Sequence, residues 1–99
     1  MRVVSQKLRD SARLRDCTLR IPGVCSYAPE QTVLAHVPCG QRGVGMKGPD
    51  VVACFSCAQC HDYLDNRRGP IDWQGIIRAV AETQLIWIRE GLITIEGMK

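Results

Sequence analysis

The chain has 99 residues, 45% hydrophobic and 23% charged, which suits one small soluble domain and leaves too little for two independent cores. No window approaches the roughly 18 apolar residues of a membrane span. The opening Met1-Arg2-Val3-Val4-Ser5-Gln6-Lys7 also lacks the apolar h-region of a signal peptide, so a cytoplasmic location is expected. The net charge of +3 is unevenly spread. Residues 1–20 hold six basic groups against two acidic ones, 21–69 balance, and 70–99 carry one excess acid.

The predicted organisation is α+β: helix, turn-rich middle, helix. Residues 5–15 form a short helix with Ser5 as N-cap, Leu8 and Ala12 on one face and a basic opposite face. Pro22-Gly23 predicts a turn that brings Cys17 and Cys25 together. Thr32–Val37 is a β-prone run ended by Pro38. A flexible stretch holding Gly40, Gly43, Gly45 and Gly48 leads to a second β-prone run, Val51–Phe55, so the two form an irregular hairpin. Ser56 is a candidate cap for a helix carrying Cys57, Cys60, His61, Leu64 and Asp65, stopped near Arg67-Arg68-Gly69-Pro70. Asp72 caps a final helix running to about Glu90, whose broad apolar surface is read as the main core contribution. Leu92–Ile95 is a candidate terminal strand.

With five aromatic residues the chain has little to build a core from, and its six cysteines suggest what supplements it. Thiols stay reduced in the cytosol, which favours a metal over a disulfide scaffold. Cys57-Ala58-Gln59-Cys60 is a C-x2-C pair, and Cys17 with Cys25 supplies a second across a turn; four thiolates from two knuckles suit a closed tetrahedral Zn2+ shell. Cys54, in an apolar run, reads as a small buried hydrophobe and Cys39 as a free loop thiol. A thioredoxin-like reading of the C-x2-C pair would need a βαβ context that this sequence lacks.

Two histidines are present, His36 at the end of the first strand and His61 directly after the second knuckle. Ten of the thirteen cations are arginine, which pairs bidentately with phosphate. Arg13, Arg15 and Arg20 near the N-terminus, with Arg67 and Arg68 at a helix end, are candidate nucleic-acid contacts; a solvated helix face and a helix C-terminal charge are the plainer alternatives.

The order strand, loop, strand, C-x2-C-H helix resembles the His-Me finger (HNH, ββα-metal) nucleases. More closely, Arg15-Asp16-Cys17, Ile21-Pro22-Gly23-Val24-Cys25, Leu34-Ala35-His36, Pro49-Asp50, Cys57 to Asp65, Thr83-Gln84, Ile86-Trp87 and Glu90-Gly91 are similar to the YbcO-like nucleases of prophages, over residues 8 to 95. The resemblance implies a zinc-stapled ββα-metal core (17–69) between a basic N-terminal helix (1–16) and a C-terminal packing helix and tail (70–99), all in one domain. It implies metal-dependent hydrolysis of DNA, with His36 as general base on water and His61 as a ligand of a catalytic divalent cation such as Mg2+. Cys17, Cys25, Cys57 and Cys60 would hold a separate structural Zn2+.

Ala35 stands where the family often carries an acidic ligand, and Asp50 lies near the place of its middle asparagine. Asp50 is read as a ligand of that cation or as a turn former. Asp65, four residues after His61 on the same helical face, either completes the cation's shell or pairs with Arg68. Asp62 points elsewhere and is expected to be solvated. DNA would be held by its backbone with little regard to sequence, and a homodimer would let so small a domain reach two strands, although no residue marks an interface. The alternative is a catalytically inactive, zinc-stabilised module that binds nucleic acid or protein.

Overall fold

The computed structural model describes residues 3–38 and 48–98. Cys39 and the glycines at 40, 43 and 45 lie outside the described residues. Ser5 caps helix α1 (Gln6–Asp10), its Oγ accepting the Leu8 N–H at 3.3 Å. This helix is shorter than the predicted 5–15. Its Ser11 cap turns back onto Leu8 and Lys7, and Leu14 takes a left-handed φ of +59°, which no continuing helix tolerates. The chain then runs through the Pro22-Gly23 turn. There the Val24 N–H bonds the Ile21 carbonyl at 3.0 Å, and Gly23, at φ +74°, supplies the positive φ that a type II turn requires at its third residue.

A 3₁₀ turn (Pro29–Gln31) leads into strand β1 (Val33–His36), which pairs antiparallel with β2 (Ala53–Ser56) in the register Leu34 to Phe55 and His36 to Ala53. Strand β2 begins two residues later than predicted, because the Val52 N–H closes a turn on the Pro49 carbonyl. Its outer edge is not left open: Thr18 N–H reaches the Phe55 carbonyl at 2.8 Å, and the Thr83 hydroxyl accepts the Phe55 N–H at 3.3 Å.

Helix α2 (Ala58–Asp65) is capped by Cys57 rather than Ser56, whose backbone belongs to β2. It stops at Arg67, which takes the left-handed position of a Schellman ending (φ +45°) while Arg68 N–H bonds the Tyr63 carbonyl. Helix α3 (Trp73–Arg89) is capped by Asp72 as expected and ends in the same motif with Gly91. The predicted strand at 92–95 does not form. The amides of Leu92 and Ile93 bond the Trp87 carbonyl instead, folding the chain back over the helix end.

Strand alternation divides the core in two. On one face Ala35 and Cys54 pack with Cys17, Leu19, Cys57, Cys60 and Leu64, and with Ile76 and Ala79 of α3. On the other, Ala53 and Phe55 pack with Leu8, Ala12 and Trp87, the Phe55 and Trp87 rings meeting edge to face at 6.1 Å. Among the described residues no helix is long and apolar enough to cross a membrane.

Candidate active site and metal centre

The first face is built around thiols. The Sγ atoms of Cys17, Cys25, Cys57 and Cys60 all lie within 4.8 Å of one another, and Cys25 and Cys57 are 3.8 Å apart. A tetrahedron with ligands about 2.3 Å from its centre has edges of about 3.8 Å, so this quartet can hold one metal ion. Each knuckle also aims backbone N–H groups at sulfur. Arg20 N–H approaches Cys17 Sγ at 3.5 Å, and Cys57 Sγ accepts from Cys60 at 3.4 Å and Ser26 at 3.5 Å. Burial opposes ionisation of Cys57, but those donors bring its thiol down to about 6, whereas burial drives Cys25 up to about 11. Cys54 lies in β2 beside the quartet, wholly buried, its thiol pushed to about 12 by burial.

The opposite face carries His36. Alternation points His36, like Leu34, toward α1, while Ala35 is fully buried on the α2 side. The imidazole Nε2 lies 2.6 Å from Oδ1 of Asp50, a carboxylate with no solvent exposure. Oδ2 accepts the Ser5 N–H at 2.7 Å and Arg9 Nε at 3.0 Å, and Arg9 also reaches Oδ1 at 3.3 Å. Both carboxylate oxygens are therefore taken up by four donors, which leaves Asp50 as a holder of His36 and no free ligand. Burial alone would raise the Asp50 carboxyl; His36, the Ser5 amide and Arg9 together hold it below its usual range. An ionised carboxylate can only accept, so Nε2 donates to it and Nδ1 lies outside that bond. His36 stands in a groove of about 410 Å³ with Gln6, Arg9, Asp10, Arg13, Glu30 and Thr32. Asp50 does lie in a turn, closed by the Val52 N–H on the Pro49 carbonyl, but its side chain is spent on His36, Arg9 and Ser5 and it is not grouped with His61. The sequence marks Ser5 only as a helix cap and does not single out Arg9. The one signal available was Ser5 and Arg9 sharing a short helix, which says nothing of a partner 41 residues away.

His61 and Asp65 meet each other: Nε2 and Oδ2 are 3.0 Å apart on the half-exposed flank of α2. Asp65 does not pair with Arg68, which instead grips Asp62 through Nε at 3.0 Å. Among the described residues, the thiol quartet is the cluster of three or more metal-binding side chains; His36, Asp50, His61 and Asp65 are not gathered into one. Of the candidate phosphate contacts, Arg15 is paired with Glu90 and lies over the Phe55 ring at 5.6 Å, and Arg20 is paired with Glu82. Arg13 and Arg67 form no ion pair among the described residues, and Arg13 lines the His36 groove.

Residues 6–92 match the protein family described as "Putative nuclease YbcO". The chain belongs to the YbcO family. Its relative "Putative nuclease YbcO" of Escherichia coli (strain K12) is 44% identical over 91 residues, covering 87% of this chain and 95% of the relative. The YbcO relative from Enterobacteria phage 82 matches to the same extent. A solved structure described as a putative bacteriophage protein from Escherichia coli str. K-12 substr. MG1655 is 40% identical and superposes with a TM-score of 0.68, covering 86% of this chain and all of that one. The matched span contains the four clustered cysteines, His36, Asp50, Arg9 and the His61–Asp65 pair.

Proposed function

We propose that this YbcO-family chain is an HNH-type endonuclease that hydrolyses DNA phosphodiester bonds, with His36 as general base and a structural Zn2+ in the cysteine quartet. The observation that carries this reading is the pairing of His36 with a buried, ionised Asp50 at 2.6 Å in a groove that also holds Arg9 and Arg13. Asp50 fixes the ring and its tautomer; Nδ1 takes the proton of a water molecule as its oxygen bonds phosphorus and the P–O bond to the leaving group breaks. Arg13 contacts the phosphate backbone in the groove, and Arg67 is a second contact at the end of α2. Backbone contacts of this kind bind DNA with little regard to sequence.

A divalent cation fits His61 and Asp65. His61 and Asp65, paired at 3.0 Å in a half-exposed position, would hold it with room for water or phosphate oxygens. Held there, a cation would supply stabilisation of negative charge on a phosphate oxygen that reaches this flank of α2. A binding module without activity is favoured by one feature, the buried Ala35 on the α2 face, which offers no carboxylate to a cation.

Incubation with plasmid and branched DNA in Mg2+ or Mn2+, beside EDTA controls and His36→Gln, separates the two. Cleavage by the parent that EDTA and His36→Gln both abolish supports the nuclease. DNA bound but left intact by the zinc-loaded parent on every substrate supports the module.

A further inference from the structure

We infer that Arg9 is a positioning residue that keeps His36 unprotonated, and so able to act as a base, by balancing the charge of Asp50. This rests on the reading of His36 as general base. A buried carboxylate 2.6 Å from an imidazole, left to itself, captures a proton: the pair is most stable as anion and imidazolium, and an imidazolium cannot accept a proton from water. Here a guanidinium that is charged at every working pH already occupies that carboxylate, bonding Oδ2 through Nε at 3.0 Å and Oδ1 at 3.3 Å. Guanidinium and imidazole share the same oxygen, so a second positive charge on His36 would sit directly beside the first. The Ser5 amide adds a neutral donor to Oδ2 and no charge.

The other ionisable groups facing His36 across the groove are Asp10 and Arg13 near α1 and Glu30 before β1. Two acids oppose one cation there, a net charge of −1, and none of the three bonds the imidazole or the carboxylate it shares with Arg9. Arg9 is thus the one cation bonded to the carboxylate that His36 shares. The arrangement also has a directional use, because a two-point grip on Asp50 fixes the carboxylate plane and with it the edge of the ring that turns Nδ1 to the groove.

The test follows the His36 ring by NMR titration in the full chain, with its zinc bound and without DNA, so it does not depend on cleavage. Arg9→Met should raise the His36 titration midpoint by about 1 to 3 pH units, and Arg9→Lys, which restores a charge without the planar fork, should bring most of it back. His61, held by Asp65 on α2, serves as the internal control and should not move. A folded Arg9→Met protein with an unshifted His36 overturns the inference. If Arg9→Met does not fold, Arg9→Lys decides: a midpoint within 1 unit of the parent supports charge balance, and a larger rise overturns it. Should the parent fail to cleave any DNA, the nuclease reading falls while the titration still judges Arg9.

Discussion

Replacing Cys57 by serine separates two jobs that one sulfur performs. Cys57 Sγ is both a corner of the thiol quartet and the N-cap of α2, accepting the Cys60 N–H at 3.4 Å. Serine is among the best N-caps, so if capping were the whole role the change would cost well under about 1 kcal/mol. For a domain of this size that is a fall of no more than about 8 °C in melting temperature. If the sulfur is a metal ligand, the loss is of another order. Structural zinc binding contributes about 10 to 16 kcal/mol in finger-sized peptides, against a net stability of about 5 to 15 kcal/mol for a whole domain. The buried face of the sheet depends on it directly, since Cys17, Cys57 and Cys60 are among the fully or nearly fully buried members of that cluster. Cys57→Ser should therefore lose its zinc and most of its cooperative unfolding, read by metal analysis of the purified protein and by circular dichroism on heating. Retention of one zinc per chain with a melt within a few degrees of the parent would refute the assignment.

Asp50→Asn should lower stability at neutral pH and flatten the acid side of the stability profile. The folded carboxyl sits below its unfolded value, so its contribution is complete above about pH 4 and fades as pH falls through the folded value; urea melts at pH 7 and pH 3 measure this, with Glu82 and Glu90, also held low by arginines, leaving a smaller residual slope. Arg67→Gly should raise the melting temperature, because a non-glycine residue at φ +45° costs about 1 kcal/mol, and it should weaken DNA binding if that guanidinium touches phosphate. Arg13→Ala should reduce the slope of log K against log salt by about 1, whereas Arg68→Ala, already engaged by Asp62, should leave it nearly unchanged; fluorescence anisotropy with duplex DNA tells them apart. Thr83→Val should cost about 1 to 3 kcal/mol in chemical denaturation, since the buried Phe55 N–H loses its acceptor; an unchanged midpoint would mean that water replaces it.

Local signals carried most of the secondary structure. Asp72 and Gly91 bracket α3, Pro22-Gly23 makes its turn, and the C-x2-C and C-x7-C spacings fold into one thiol cluster, because caps, turns and knuckles are decided by a few neighbouring residues. What stayed hidden depends on distant partners. Helix α1 looks long in the sequence, yet the Ser11 hydroxyl bonds the Leu8 carbonyl and Trp87 Nε1, and the chain turns away. The apolar run 92–95 has the composition of a strand but finds both sides of β2 taken, by Thr18 and Thr83 on the outside and β1 on the inside, and its first amides turn back onto Trp87. The paired arginines mislead for the same reason: net charge near the N-terminus says nothing about Glu82 and Glu90 waiting on α3.

The candidate site shows how far spacing alone can go. The order of motifs marks His36 and His61, and it cannot say which face of the hairpin each one occupies; that follows from a one-residue alternation in β1 and from where α1 and α2 pack. Because Ala35 and His36 point to opposite faces, an acidic side chain at 35 would look toward α2 and the cysteines, while position 36 looks toward Arg9 of α1 and the nearby Arg13. The absent acid and the base therefore belong to different environments, and its replacement by alanine leaves the Asp50–His36–Arg9 arrangement physically untouched. In the proposed reading, activity would then be limited by how well His61 and Asp65 hold a cation without a second carboxylate. Ala35→Asp, adding an anion to a buried face already committed to four thiols, should accordingly strengthen cation binding only at a cost in folding stability.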